Sequence, residues 1–337
     1  MSNSKRIILA LLGLVLGLGL FAATAPAQLL TLTHGGVGSA GCLPLDCISA
    51  TPYAAWSTRK LRKAYAGNAI TVRRSSDSTT SNIGFAGNDL DTSTLLTFCA
   101  ATNCFVTTFF DQSGQNNCTS APCNMAQGTT AQQPQIVTSG SLTVTYNSHA
   151  ALAYTGSAGT NLTNGSAALP TSGSGWTEIG VANATSGGAD SFGNNGRGLI
   201  GQGNSSAGLN FLSSGLCTNC FVMYSAGSGT SDKTAHVSYT FGTTSIFIGR
   251  FGSGDTNPIK AFINGGTPGT GSNATLSGTT TPSFVGCHRG CGTNANALDG
   301  SLAEAYSFGT ELSVTDTNLI GNNMATYYGL VWTTVTQ

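Results

Sequence analysis

The chain has 337 residues, with 13 Lys plus Arg balanced by 13 Asp plus Glu, so its formal net charge is zero. That balance gives no support to nucleic-acid binding, which needs a basic surface. Charged residues are only 8% but hydrophobic residues are 40%, which excludes a disordered chain and leaves a folded, Gly-, Ser-, Thr- and Asn-rich one long enough to bury a full core.

Lys5 and Arg6 precede an apolar stretch from Ile7 to Phe21, and Ala25-Pro26-Ala27 follows it. A basic start, a short apolar segment and an Ala-x-Ala end form a secretory signal, with cleavage expected after Ala27 and Gln28–Gln337 as one exported domain. An uncleaved anchor is the alternative, since the run is close to spanning length. No later segment is expected to span a membrane. Leu30 to Asp46 reads as a Gly-rich strand or loop. A helix is expected next, with Thr51 as cap, Pro52 at its first position and Gly67 past its end. Ala54, Leu61, Ala64 and Tyr65 would form its apolar side, and Arg59, Lys60, Arg62 and Lys63 its solvated face.

From Ile70 the pattern changes to short strands: Ile70–Arg74, Cys104–Phe110, Ser141–Tyr146, Thr177–Ala182, Phe221–Ser225, Ala235–Phe241, Thr244–Phe251, Ile259–Ile263, Ser283–Gly286 and Ser301–Phe308. At the end of Ile259–Ile263, Ile263-Asn264-Gly265-Gly266 supplies a hairpin turn. A second helix starts at Leu312-Ser313, with Ser313 or Thr315 as cap and Asp316 in its first turn. Many short strands with one helix near each end point to an all-β sandwich.

Ten cysteines form five close pairs: Cys42 with Cys47, Cys99 with Cys104, Cys118 with Cys123, Cys217 with Cys220, and Cys287 with Cys291. In an oxidising compartment such a set reads as disulfides, whose connectivity the sequence leaves open. The competing reading is a zinc site from Cys217, Cys220, Cys287 and Cys291 with His288. Export favours disulfides, so neither a metal nor another cofactor is expected.

Carboxylates are few. No glutamate lies between Glu178 and Glu304, and the aspartates in between are Asp190, Asp232, Asp255 and Asp299. A glycosidase needs two carboxyl groups facing one sugar, one neutral and one ionised. Asp299 and Glu304 are poorly spaced for that, because an odd separation in a regular strand puts them on opposite faces. His34, His149, His236 and His288 are present without a Gly-x-Ser-x-Gly elbow between a strand and a helix. Asp111 of Phe109-Phe110-Asp111-Gln112-Ser113-Gly114 is read as a turn residue accepting backbone N–H groups, with Gly114 supplying positive φ.

The run Ala54-Ala55-Trp56-Ser57-Thr58-Arg59-Lys60-Leu61, then Arg74-Ser75-Ser76-Asp77, Asp89-Leu90-Asp91, Thr97-Phe98-Cys99-Ala100-Ala101-Thr102-Asn103-Cys104, Asp111-Gln112-Ser113-Gly114 and Gln133-Pro134 resembles the catalytic domain of the arabinofuranosidase B family. Asp299-Gly300-Ser301-Leu302-Ala303-Glu304, the Leu312-Ser313 helix start and Tyr327-Tyr328-Gly329 extend the likeness to the end. The resemblance implies a concanavalin-like or laminin-G-like jelly roll with short peripheral helices, and a disulfide between Cys99 and Cys104. It also implies a secreted carbohydrate-active protein that removes arabinofuranosyl groups from arabinoxylan or arabinan with retention, using a glutamate nucleophile and an aspartic acid/base. The nucleophile's Met-Glu-Asn-Asn setting has no counterpart here, and His288 stands near the acid/base position. Glu304 matches a family glutamate outside the catalytic pair. The catalytic candidates that remain are Asp190, Asp232 and Asp299. The alternative is a glycan-binding or structural envelope domain without turnover.

Overall fold

The computed structural model describes residues 41–119, 122–166, 175–190, 196–202, 208–224, 234–273, 282–288, 291 and 296–337. The signal-peptide expectation over residues 1–27 lies outside them, as do Asp232 and the side chain of Asp190.

Two antiparallel layers face each other. In the back layer Ala54–Ser57 and His149–Tyr154 lie end to end along one side of Gly300–Phe308. On its other side follow Gly175–Ala184, Ser245–Gly252, Ile259–Ile263 and Gly269–Gly271. The front layer runs Met125–Ala126, Leu162–Asn164, Ser283–Val285, Arg197–Gln202, Gly208–Gly215, Cys220–Tyr224 and Thr234–Ser238. Gln135–Thr138 and Cys104–Phe109 carry the hydrogen-bonded ladder from one layer to the other, and Ile70–Arg74 and Thr80–Ile83 extend it. At the opposite side the two layers also meet, because a Cβ on Gly269 would overlap the His236 carbonyl. The result is a nearly closed jelly-roll sandwich.

Period-2 alternation explains the layers. Along Gly175–Ala184, Trp176 and Ala182 enter the interior while Ile179 and Val181 face the other way. In the interior Phe247 of the back layer meets Phe211 and Phe221 of the front, both with ring centroids 4.9 Å apart. The outer side of the back layer is covered by helix α2, Val314–Tyr328, whose Ile320, Met324, Ala325 and Tyr328 pack on Ile179, Ile246 and Phe262. Ser313 caps α2, accepting from the Asp316 N–H at 3.0 Å, as its sequence predicts.

The helix expected from Thr51 to Gly67 is not formed. Ala54–Ser57 is a fully buried strand, with Ala54 and Trp56 in the interior and Ala55 on the α2 side. Alternation over these three residues overrides the wider helical spacing. The residue after the strand, Thr58, donates to the Ala150 carbonyl, and Arg59, expected at the surface, is buried at 4% exposure. The first α-helix among the described residues is instead α1, Thr92–Phe98, capped by Asp91, whose carboxylate accepts the Thr94 N–H at 2.9 Å.

Five disulfides join Cys42–Cys47, Cys99–Cys104, Cys118–Cys123, Cys217–Cys220 and Cys287–Cys291. The thiolates of the competing zinc reading are therefore consumed. Each bond closes a loop of a few residues, so it pins a bend rather than joining distant strands.

Candidate functional site

The thirteen carboxylates divide sharply. Eleven have described side chains, and ten of these serve the scaffold. Asp111 accepts the Ala55 and Ser113 N–H groups at 3.0 and 2.9 Å and the Ser113 hydroxyl, while Gly114 takes φ +73, as expected of a turn. Burial raises the Asp111 pKa and these hydrogen bonds act against that rise. Asp299, a catalytic candidate, accepts the Gly156 N–H at 3.2 Å and the Ser186 hydroxyl at 2.9 Å, holding two loops together. Asp255 and Glu311 approach one centre, but that centre is the Lys260 ammonium, and Arg250 donates to Glu311 at 2.7 Å. Two cations between them leave no room for an acid and a base with separate roles.

Glu304 is the most committed of the ten. Its strand skips Ala303 in pairing with Gly175–Ala184, and this β-bulge turns Glu304 toward α2. There it takes Arg59 in a bidentate grip, Nε at 2.6 Å and Nη2 at 2.9 Å, with hydroxyls from Ser57, Tyr328 and Tyr306. Burial works against the Arg59 charge, but Glu304 outweighs it and raises the guanidinium pKa. This is a structural anchor.

The eleventh, Glu178, lies opposite Gly249 and Ser307 and shares the interior-facing side of its strand with Trp176. Neither carboxyl oxygen has a hydrogen-bond partner among the described residues. Burial pushes its pKa well above the ordinary range, and the nearby Trp176 indole offsets only part of that. Asp190 ends a short strand, Gly188–Asp190, parallel to Gly208–Gly215. Asp232 lies outside the described residues.

A different part of the molecule gathers polar side chains on one sheet face. On the outer side of the front layer Asn210 stands between Gly198 and Val222, and Tyr224 is opposite Gly208. Leu209 and Phe211, which alternate with Asn210, fill the interior. Leu212, Cys220, Val222 and Tyr224 form a small apolar patch on this outer side. The chain turns at Gly286, φ +78, and lays Cys287 and His288 across it; a Cβ on Gly198 or Gly201 would overlap the His288 backbone. Those glycines are therefore close-approach positions. The His288 N–H donates to the Asn296 carbonyl at 3.0 Å, and its ring stacks near Tyr224, centroids 6.1 Å apart and planes at 21°. His288 and Asn210 have no exposed surface, and neither amide atom of Asn210 has a partner among the described residues.

The structure thus separates the sequence candidates. Asp299 belongs to a loop tie, and His288 sits on the outer face with Asn210 and Tyr224. Asn210 went unrecognised, although the Leu209-Asn210-Phe211 alternation holds the signal: an amide flanked by core residues must face the other side of the sheet. A buried carboxamide offers one donor and one acceptor side in a fixed plane, which suits neighbouring hydroxyls. It cannot act as a nucleophile.

Comparison with known proteins gives this geometry a context. Residues 45–197 match the family described as Alpha-L-arabinofuranosidase B, catalytic. Among curated proteins, a probable alpha-L-arabinofuranosidase B of Aspergillus clavatus is 37% identical over 124 residues, covering 36% of this chain and 21% of that protein. Alpha-L-arabinofuranosidase B of Aspergillus kawachii is 40% identical over 102 residues, covering 28% of this chain and 20% of its own length. The matched part is thus about a fifth of these relatives. A solved arabinofuranosidase complexed with arabinofuranosyl-alpha-1,2-xylobiose superposes with TM-score 0.54 at 20% identity, over 83% of this chain and 64% of that one. An arabinofuranosidase soaked with a cyclic sulfate inhibitor gives TM-score 0.52 at 19% identity over the same shares. Sequence over residues 45–197 and a shared fold over most of the chain agree: the chain resembles the catalytic domain of alpha-L-arabinofuranosidase B.

Proposed function

We propose that this chain is a secreted, carbohydrate-binding member of the alpha-L-arabinofuranosidase B catalytic-domain family that recognises arabinofuranosyl groups of arabinoxylan or arabinan on the His288 face, without hydrolysing them by double displacement. The signal-like residues 1–27 support export, with residues 28–337 as the mature domain. No helix among the described residues is long and apolar enough to cross a membrane. One observation carries the reading: Asn210 presents a fully buried amide without a partner among the described residues on the face crossed by His288, while ten of the eleven described carboxylates are tied into the scaffold. A buried, unpaired amide costs about 1–3 kcal/mol in the folded state, a cost that a hydroxyl-bearing ligand would offset. Retention requires a carboxylate nucleophile about 5 Å from its acid/base partner, and Asn210 cannot supply one.

Two measurements test it. Isothermal titration with an arabinofuranosyl-substituted xylo-oligosaccharide is expected to show saturable binding, weakened about tenfold or more in Asn210→Ala, the worth of one buried hydrogen bond. Incubation with 4-nitrophenyl arabinofuranoside between pH 4 and 8 is expected to release no nitrophenol, across the range where a carboxyl pair splits its roles. Release that disappears in Asp190→Asn or Asp232→Asn would replace this reading with a hydrolase built on those residues.

A further inference from the structure

A concavity lies on the α2 side of the back layer. We propose that the cleft between the Cys42–Cys47 loop and α2 is a binding site for a neutral, hydroxyl-rich ligand of the saccharide class. The proposal stands whether or not the His288 face binds sugar.

The cleft has a volume of about 480 Å³ and is floored by Arg59, with Asn88, Asp89, Asn322, Asn323 and Thr326 on its walls. That volume falls within the range of small-molecule sites. Charge does not select its ligand. Arg59 is neutralised by Glu304 and also donates to the Asn323 Oδ1 at 2.8 Å. Asp89 accepts the Tyr327 hydroxyl and lies 3.5 Å from His149 Nδ1. An anion would meet Asp89 and a cation would meet Arg59, so an uncharged ligand is favoured.

The walls are also pre-ordered. Asn323 is held at both ends, since its Nδ2 donates to the Cys42 carbonyl at 3.1 Å. Asn322, which also lines the cleft, donates its Nδ2 to the Asn318 carbonyl at 2.8 Å, so its Oδ1 is the amide atom not used in that bond. Tyr327 is sandwiched by His149, with centroids 3.7 Å apart, and by the Arg59 guanidinium 4.3 Å above its ring. With its faces occupied, the ring offers only an edge, so recognition falls to the Asn322 oxygen, the exposed Asn88 amide and the exposed Thr326 hydroxyl. Neutral donors and acceptors side by side match the hydroxyl groups of a sugar, and the held Asn322 loses little side-chain entropy when it is used. Leu43, Pro44 and Leu319 supply an apolar rim for the sugar's C–H faces.

The test is an NMR titration of the chain with xylo-oligosaccharides and arabinofuranosyl-substituted xylo-oligosaccharides, following the side-chain amides of Asn88, Asn322 and Asn323. Saturable shifts are expected, with affinity falling about tenfold in the Asn88→Ala/Asn322→Ala double variant, as for one lost hydrogen bond. Thr326→Trp, which plugs the cleft from an exposed position, is expected to abolish the shifts. Asn210→Ala is expected to leave them unchanged, separating this site from the His288 face. Should the double variant lose its fold, Asn88→Ala alone, at an exposed position, carries the affinity test. Absence of any shift in these amides at tens of millimolar sugar, shifts that persist in a folded Thr326→Trp variant, or shifts confined to the Asn210 side would overturn the proposal.

Discussion

Glu304 and Glu178 lie on adjacent strands of the back layer, and neither has any exposed surface. Glu304 faces α2 and accepts from a bidentate arginine and three hydroxyls. Glu178 faces the sandwich interior and has no hydrogen-bond partner among the described residues. The difference teaches how burial divides a carboxyl's fate. Where donors converge, the carboxyl becomes an anchor; where they do not, burial favours the neutral acid.

The largest expected effect breaks the satisfied side. Arg59→Ala strands Glu304 among hydroxyls and removes the tie between the first strand's end, Gly300–Phe308 and α2. Urea unfolding should show a loss of about 3–5 kcal/mol, the usual cost of leaving one member of a buried pair alone. Replacing both partners, Arg59→Met with Glu304→Leu, should recover much of that loss, because the uncompensated charge is then gone. A double variant as unstable as the single one would show that shape, rather than charge, holds this region together.

The unsatisfied side predicts a pH dependence of definite sign. The folded pKa of Glu178 is raised by burial, whereas the unfolded chain ionises near the ordinary value of about 4.3. Below that value both states are protonated and its contribution to stability is fully present. As pH rises above it toward the folded value, the unfolded state releases the proton first, and stability falls by up to about 1.4 kcal/mol per pH unit. Glu178→Gln should remove this slope while keeping the side-chain shape. Parallel stability-versus-pH curves for the two proteins above pH 5 would rule out a neutral buried acid at this position.

How much of this was legible in the sequence varies by region. Ile259–Ile263 and Ser245–Gly252 were readable because short runs rich in Ile and Phe, bounded by turn residues, favour a buried strand even with Lys260 and Arg250 inside them. The turn role of Asp111 followed from its spacing to Gly114. Arg197–Gln202 and Gly208–Gly215 were not legible, because Gly198, Gly201 and Gly208 look like coil until His288 and the Ile200 carbonyl are seen lying against them. Sequence carries no record of which backbone passes over a glycine. The misplaced first helix has a related cause: only the fold shows that Ala54 and Trp56 enter one core and Ala55 another. Family likeness located His288, while Asn210 needed the sheet register, since the Leu209-Asn210-Phe211 alternation tells only that the amide faces away from the core and not what lies beside it.

The smallest effect sharpens the comparison by asking how far the Glu304 anchor reaches along α2. At the start of the helix Ser313 caps the Asp316 N–H, and the Asp316 carboxylate takes the Ser49 N–H at 3.0 Å and its hydroxyl at 2.8 Å. At its other end Tyr328 donates to Glu304 at 2.9 Å. Fifteen helical residues, about 22 Å at 1.5 Å each, separate the two ends. Ser313→Ala should therefore cost only the cap, about 1 kcal/mol in urea unfolding. Combined with Arg59→Ala, its effect should add within about 0.5 kcal/mol, as for sites sharing no partner. A larger coupling would mean that α2 moves as one rigid lever on the anchor, because fraying at Ser313 would then be felt at the Tyr328 hydroxyl.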